Sequence, residues 1–238
     1  MTSGRQVAGK TAALIFLCVL ASWRPGAAQV GHDPGNSPYR DVPLHPGPMF
    51  FVGHLSGDRG LAGSGMSNAR TFGFRYELPA GRALIFQFTG VYLKGDRFVL
   101  NPFVDSTSAL RKTGPFESDL ALAEIGMQLR LSGGKSWHGL APYLGTGLGL
   151  LFDVKEPRDT SGYRFGTKLT PALSSGVRWY PARHLQVNFD ARIQAWRLKY
   201  PVAYHLQAAD GSRIVPIDRT LQDWTLHPWI SVGVGWIF

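Results

Sequence analysis

Charged and amide side chains recur at alternate positions within apolar stretches of this sequence. Between Leu185 and Ala195, apolar residues occupy the odd positions and polar residues the even ones. A period of two places the polar residues on one face of a β-strand and the apolar residues on the other. If the polar face is enclosed, its charges must be paired. The sequence therefore predicts a salt-bridged interior, built from Arg75, Glu77, Glu124, Gln128, Arg130, Lys168, Arg178, Asp190 and Arg192.

Two groups of residues have the types that acyl chemistry needs. A histidine activates a serine hydroxyl when the two lie within hydrogen-bond reach and an acid orients the ring. His54 and Ser56 have the spacing of such a pair but no convincing acidic partner. His205, Asp210 and Ser212 lie together in a polar loop, where residues of these types are usually solvated. The remaining His and Asp residues lack the spacing of a metal site. We therefore predict no catalytic residue, metal or cofactor.

The elements that carry the polar residues are eight alternating strands. They are predicted at residues 49–56, 69–78, 82–94, 118–131, 140–154 and 163–180, at a stretch that begins at 185, and at 223–238. Long polar connections alternate with tight turns such as Pro79-Ala80-Gly81. An even number of long antiparallel strands with this alternation of loops predicts an all-β fold, an eight-stranded antiparallel transmembrane barrel.

The last predicted strand sets a length that can be compared with a membrane. Trp224 and Trp236 share one apolar face and are twelve residues apart. At about 3.3 Å per residue and a tilt of about 40–45°, this separation projects to roughly 30 Å. That is close to the height of an apolar band between two aromatic girdles. We expect this strand to pair with the first strand, so that the barrel has no open edge.

A barrel of eight strands is only wide enough to hold its own side chains. Gly145, Gly147 and Gly149 share the enclosed face of one strand, and we expect them to make room for long side chains that arrive from across the lumen. Two uses of the interior remain open. A filled polar lumen would hold the barrel shut, whereas a narrow channel or carrier would admit small or hydrophobic solutes.

The first residues have the parts of a secretory signal peptide, residues 1–28. Two cations precede an apolar run over residues 11–23, and small residues follow up to Ala28. An uncleaved anchor is the alternative. Cleavage removes Cys18, the only cysteine, and lowers the formal net charge from +9 to +6, because three cations and no acid are lost. No block of like charge indicates nucleic acid. Residues 29–48 hold five prolines and three glycines, which predicts a leader without regular structure.

A soluble barrel is the competing interpretation, since it also alternates apolar and polar residues but turns the apolar face inward. Long strands, alternating loop lengths and aromatic residues at strand ends, such as Trp179, Tyr180 and Trp224, favour the membrane. No segment after residue 28 has the roughly 18 uncharged apolar residues that a membrane helix needs. Residues 49–238 must therefore cross as strands if they cross at all.

These features resemble the small outer-membrane barrels of Gram-negative bacteria, of the OmpA transmembrane-domain, OmpX and OmpW type. In that group a C-terminal aromatic residue after alternating apolar residues is the signal for the barrel-assembly machinery. The residues that match it here are Val232, Val234, Trp236 and Phe238. The resemblance covers residues 49–238 as architecture and selects no subfamily. It implies the cell outer membrane as the location, with short turns in the periplasm and long loops outside.

The expected partners are outer-membrane lipid, lipopolysaccharide and the assembly machinery, with the protein a monomer and without nucleic acid. Basic residues in the long loops would lie beside anionic lipopolysaccharide and could be paired by phosphate. The candidates are Arg111, Lys112 and Arg213. The sequence favours a non-enzymatic barrel with a structural or surface-interaction role. A channel is the alternative, and an enzyme that modifies lipid A is the third hypothesis.

Overall fold

The structure of the chain is a computed structural model that describes residues 37–42 and 44–237. The predicted signal peptide and Phe238 lie outside the described residues. The chain divides into two compact units, Met1–Pro38 and Tyr39–Phe238, and the described residues belong almost entirely to the second. Within them, helical structure is limited to two short 3-10 helices, Ala109–Arg111 and Val202–His205. Neither of these helices of the described residues is long and apolar enough to span a membrane.

Eight long antiparallel strands form a closed barrel, and two short strands are attached to it. The strands are β1 (Tyr39–Asp41), β2 (Gly47–Leu55), β3 (Ala69–Pro79), β4 (Leu84–Leu100), β5 (Lys112–Arg130), β6 (Lys135–Trp137), β7 (Leu140–Lys155), β8 (Lys168–Ala182), β9 (Leu185–Lys199) and β10 (Gln222–Trp236). The barrel order is β2-β3-β4-β5-β7-β8-β9-β10, and β10 pairs with β2 to close the ring. The prediction of an eight-stranded antiparallel barrel is confirmed.

Strand β10 closes the barrel, as its apolar pattern predicts. Its register against β2 runs from Trp229 opposite Leu55 to Gly235 opposite Met49, and its other edge pairs with β9 along its whole length. The edge toward β9 is therefore paired throughout, and the edge toward β2 is paired over residues 229–235. Trp224 and Trp236 point outward near the two ends of the strand, 60% and 53% exposed, where aromatic girdles are expected.

Alternation along the strands produces an apolar outer wall. Phe50, Phe72, Ile125, Leu173 and Ile230 are among the outward side chains, and each is half or more exposed. A soluble protein rarely exposes so continuous an apolar surface, so this wall belongs in lipid. We call the end with the tight turns, such as residues 80–83, the turn end, and the end with the long connections, such as residues 200–221, the loop end.

The largest differences from the predicted boundaries lie in three regions. Strand β8 begins at Lys168, because residues 163–167 leave the strand ladder and the side chains of Tyr163 and Phe165 turn into the barrel. The predicted loop over residues 95–117 is mostly strand, since β4 and β5 continue to pair beyond the apolar wall as far as Leu100 opposite Lys112, past a bulge near Arg97. The leader is not entirely irregular either. β1 pairs with β6 at the turn end, and β2 begins at Gly47 rather than at residue 49.

Candidate functional site

The interior of the barrel holds all nine residues of the predicted polar network. They come from strands β3, β5, β8 and β9, point inward, and are at most 8% exposed. Seven of them make hydrogen bonds or ion pairs with one another. Three further residues join them: Tyr143, Gln186 and Gln194. We call these twelve residues the polar section.

Side-chain links between different strands of the barrel are called ties below. Glu77 and Arg178 form the tie nearest the turn end, which is an ion pair. The two guanidinium nitrogens Nη1 and Nη2 of Arg178 donate to the two carboxylate oxygens of Glu77 at 2.7 and 2.9 Å. β3 and β8 are four strands apart in either direction around the barrel, so this pair spans the lumen. Gln186 Nε2 donates to the same carboxylate at 3.0 Å, and Gln128 Oε1 accepts from Arg178. This bidentate geometry is the strongest form of ion pair between side chains.

Asp190 is the centre of the second tie. Its carboxylate accepts from Arg75 Nη2 at 3.2 Å, from Arg192 Nη2 at 3.4 Å and from the Tyr143 hydroxyl at 2.8 Å. Arg192 Nη1 also donates to Glu124 Oε1 at 2.7 Å. These bonds join β3, β5, β7 and β9 through the lumen. The strands are therefore held together by side chains as well as by their backbone ladders.

Two of the eight charged residues in the predicted network lie in the interior without an ion pair. Among the described residues, Arg130 and Lys168 have no carboxylate oxygen within 4.0 Å. Arg130 lines a space of about 10 Å³ at the turn end, together with Glu77 and Arg178, and a space of that size holds no more than about one water molecule. The Lys168 ammonium lies 4.7 Å from the centre of the Phe165 ring, where a cation–π interaction replaces an anion.

The glycines of β7 make room for side chains of the neighbouring strands β5 and β8 rather than for side chains from across the lumen. A Cβ at Gly147 would lie 2.6 Å from Glu124 Oε1, and a Cβ at Gly145 would lie 2.6 Å from the Ser174 hydroxyl. Glu124 is on β5, the direct partner of β7. The missing side chain at Gly147 therefore leaves a path along which Glu124 reaches Arg192.

The loop end of the interior is apolar, which the sequence pattern did not lead us to predict. Buried residues from the strands meet buried residues from three long connections and form one hydrophobic cluster, which we call the apolar section. Its members include Phe51, Leu93, Leu120, Leu122, Tyr163, Phe165, Trp196, Leu198, Tyr200, Tyr204, Val215 and Trp229. The rings of Tyr163, Tyr200 and Tyr204 lie against one another with centroids 5.9–6.4 Å apart. Burial raises the pKa of Tyr163 and of Tyr204 above the usual value, so both remain neutral at neutral pH.

An ion-pair group fastens the connection between β7 and β8 to the barrel. Arg97 is buried and donates to Asp159 at 2.9 Å and to Glu156 at 3.4 Å. Its guanidinium also lies 4.9 Å from the centre of the Tyr163 ring. Glu156 accepts from the Phe165 backbone N–H at 2.7 Å. The two aromatic side chains of this connection are thereby held inside the barrel.

His227 is a packing residue of the interior, at the border of the apolar section. Its ring stacks on Trp196 with centroids 3.5 Å apart. Nε2 lies 2.8 Å from the Thr225 hydroxyl, and Nδ1 accepts from the Asp58 backbone N–H at 3.1 Å. Both ring nitrogens are engaged, and the Asp58 contact binds the connection between β2 and β3 to the barrel.

The sequence contains one signal for the apolar section, which the strand period alone does not reveal. On β9 the inward residues Gln186 to Gln194 are polar, but the same inward positions become apolar at Trp196 and Leu198. A change from polar to apolar along one enclosed face marks where a polar lumen ends. The loop residues that fill this part follow no strand period and give no comparable signal.

The two groups considered for acyl chemistry are not assembled for it. Asp210 accepts from the Ser212 hydroxyl at 2.6 Å and from the Ser106 hydroxyl at 2.7 Å. His205 does not join them through Nδ1, which lies 3.1 Å from the Val215 carbonyl oxygen. His54 points outward and is exposed. Within the described ranges, no group of three or more His, Cys, Asp and Glu side chains has the geometry of a metal site.

The basic loop residues lie at the loop end and are partly engaged. Arg111 donates to the Val104 carbonyl oxygen, and Arg213 Nε donates to the His205 carbonyl oxygen at 2.9 Å. Lys112 lies 4.4 Å from the centre of the Phe98 ring. Of the residues proposed for assembly, Val232, Val234 and Trp236 point outward and are exposed; Phe238 lies outside the described residues.

No protein-family model and no curated protein sequence matches this chain. Solved structures do. OprG from Pseudomonas aeruginosa, an outer-membrane protein, aligns with a TM-score of 0.52 at 11% identity, over 85% of this chain and 99% of that one. The N-terminal β-barrel domain of Pseudomonas aeruginosa OprF aligns with a TM-score of 0.44 at 10% identity, over 84% and 100%. Neisserial surface protein A aligns with a TM-score of 0.43 at 12% identity, over 85% and 98%. The chain has the fold of the small eight-stranded outer-membrane β-barrels.

Proposed function

We propose that this protein is a non-enzymatic outer-membrane barrel with a closed lumen and a structural or surface-interaction role. The turn end then faces the periplasm and the loop end faces outward, as in the resemblance drawn from the sequence. Two observations support this location: the apolar wall between Trp224 and Trp236 suits a bilayer, and the barrel fold is shared with OprG.

The observation that carries the proposal is that side chains fill the interior at two successive levels along the barrel axis, first the polar section and then the apolar section. Glu77 and Arg178 cross the lumen near the turn end, and Tyr163 and Tyr204 occupy the loop end. A solute on a path through the barrel would have to displace both. Separating a buried ion pair leaves two unpaired charges, and this is among the most costly changes a protein interior can undergo.

Conductance measurements test the closed lumen. The barrel, refolded and inserted into a planar lipid bilayer, is expected to show no stepwise current. The unmodified barrel is compared with Glu77→Ala combined with Arg178→Ala. This variant tests the contribution of the ion pair to closure, because it removes the pair that spans the lumen and keeps the net charge. Steady single-channel steps from the unmodified protein would contradict the closed lumen and favour the channel hypothesis.

The non-enzymatic assignment has its own test. The mass profile of lipid A from cells that express the protein is expected to equal the profile from cells that lack it. A loss or gain of an acyl chain that depends on His54 or on His205 would overturn the assignment.

Location is tested separately by carbonate extraction and fractionation: the protein is expected to stay with the outer-membrane fraction.

A further inference from the structure

We propose that three adjacent strands of the outer wall carry a binding site for the phosphate headgroup of a lipid in the leaflet at the loop end. The site is a row of three basic side chains, His54 on β2, Arg70 on β3 and Lys94 on β4. This inference deepens the surface-interaction role proposed above and rests on the outer-membrane location. It assigns the lipid contact to the wall of the barrel rather than to the loops.

The row is set by strand register. His54 is the direct cross-strand partner of Arg70, and Arg70 is the direct partner of Lys94. Directly opposed residues of antiparallel strands point to the same side, with Cβ atoms about 4.5–5.5 Å apart. All three side chains are exposed on the outer face. Three basic groups are thus held side by side on a rigid surface.

The row lies where the apolar wall ends. Along β3 the outward residues from the turn end are Leu78, Tyr76, Phe74 and Phe72, and Arg70 is the first charged one. One step toward the turn end, Val52, Phe72 and Tyr92 form a parallel row of direct cross-strand partners. A cationic row above an aromatic and aliphatic row matches an amphiphile with an anionic head, and this argues for a lipid over free phosphate.

Acids lie near the row, and among the described residues none of them forms an ion pair with it. Arg70 and Lys94 have no carboxylate oxygen within 4.0 Å in the part of the chain that the structure describes. Asp119, the next residue in register after Lys94, accepts the Tyr92 hydroxyl at 2.6 Å, and Glu117 is paired with Lys155. Like charges that are directly opposed destabilise a sheet. An anion between Arg70 and Lys94 would remove this repulsion.

The surface beside the row is concave. A depression of about 310 Å³ is lined by the three basic residues with Asn68, Asp96 and Glu117. Asp96 lies two residues beyond Lys94, on the loop side of the row and away from the apolar wall. The row thus has room for a headgroup larger than a single phosphate, with its acyl chains directed along the wall.

Lipid retention by the folded full-length protein tests the proposal. The barrel is incubated in mixed micelles with lipid A that carries both phosphates, or with the same lipid A after both phosphates are removed, and bound lipid is counted by native mass spectrometry. The unmodified barrel is expected to retain the phosphorylated form. Arg70→Gln combined with Lys94→Gln is expected to lower this retention on the order of tenfold, because two charge-assisted contacts are lost.

The matched control is Arg197→Gln combined with Lys199→Gln on β9. It removes two exposed cations near the same rim, but their cross-strand partners are Trp224 and Gln222 instead of cations. This variant is expected to retain lipid A like the unmodified barrel. Equal loss in both variants would show attraction by net charge alone and overturn the site. Equal retention of the dephosphorylated lipid would also overturn it.

Two further results separate a lipid site from a site for free phosphate and from a failure to fold. Displacement of the lipid by millimolar inorganic phosphate would indicate a site for free phosphate and contradict the lipid assignment. Folding of every variant is checked by the heat-dependent shift in gel mobility of folded barrels. A barrel that folds and inserts but does not retain lipid A refutes the row and leaves the proposed function intact, whereas a chain that does not insert refutes the proposed function itself.

Discussion

The polar and apolar sections fill one barrel by different means. The polar section consists only of strand residues, and its ties, such as Glu77 to Arg178, join opposite walls. The apolar section combines strand residues with side chains from the connections, such as Tyr163 and Tyr204. The strands of the barrel wall therefore determine the polar section by themselves. The apolar section forms only when the connections fold inward.

This difference separates two kinds of stability. Charges in the polar section are at most 8% exposed, and their pairing is coupled to the closure of the whole barrel. Tyr163 and Phe165 of the apolar section are carried by the connection between β7 and β8, which we expect to open while the strands stay paired. We expect changes in the polar section to alter global unfolding and changes in the loop residues to alter local opening.

The largest effect is expected from Glu77→Leu, which leaves Arg178 buried without its bidentate partner. Removal of one member of a buried ion pair costs about 3–5 kcal/mol, and Arg130 nearby adds to the unpaired positive charge. The free energy of unfolding, measured by urea titration of the barrel in lipid vesicles, should fall by that amount. An unchanged free energy would show that this tie does not stabilise the barrel.

Two controls belong to this prediction. Glu77→Leu combined with Arg178→Leu removes both charges and should recover most of the loss, since a buried pair replaced by apolar residues is often neutral. Glu117→Gln breaks an exposed pair with Lys155, in which both side chains are 58% exposed, and should leave the unfolding midpoint unchanged because solvent screens such pairs.

The second prediction concerns Tyr163→Ala in the apolar section. Loss of a buried aromatic ring costs about 3 kcal/mol, equivalent to roughly 100-fold in the population of the open connection. Arg158 and Arg164 flank Tyr163 and are exposed, so the rate of trypsin cleavage at these residues reports the opening. The control Phe103→Ala changes an exposed loop aromatic and should not alter cleavage. If Tyr163→Ala lowered the free energy of global unfolding as much as it lowered the free energy of opening the connection, the two sections would be one cooperative unit.

The same division explains how much the sequence could predict. The strands, the closure by β10 and the inward position of residues such as Asp190 and Arg192 follow from a period of two, because burial on one face fixes the pattern. The partner of each charge does not follow, since the Glu77–Arg178 pair depends on which strands face one another across the lumen. The period also places Tyr163 in a strand, because its alternation continues that of β8, although its ring belongs to the interior cluster.

The third prediction tests the contact between neighbouring strands in the polar section. A methyl group in Gly147→Ala would meet Glu124 Oε1 at 2.6 Å and Cδ at 2.7 Å, so the carboxylate must move away from Arg192. Overpacking of this kind costs about 1–3 kcal/mol, to be measured by the same urea titration. Gly90→Ala on the outer face is the control, because a Cβ there has no atom within 4 Å. A larger loss in Gly90→Ala would indicate a general effect of glycine in strands.

The smallest effect is expected where the loops meet outside the barrel. Hydrogen bonds from Ser212 and Ser106 hold the pKa of Asp210 well below its usual value, and they connect the loop over residues 101–111 to the one over 206–214. A lowered folded pKa stabilises this contact above the ordinary carboxylate pKa of about 4, and the contribution is lost only as pH falls through the lower folded value. The amide shifts of Ser106 and Ser212, followed by NMR, should therefore stay constant from neutral pH down to about pH 4. They should be displaced in Asp210→Asn while the unfolding midpoint stays the same. A titration centred near pH 4 would show that the loop contact is not populated, and the apolar section would then be closed by packing alone.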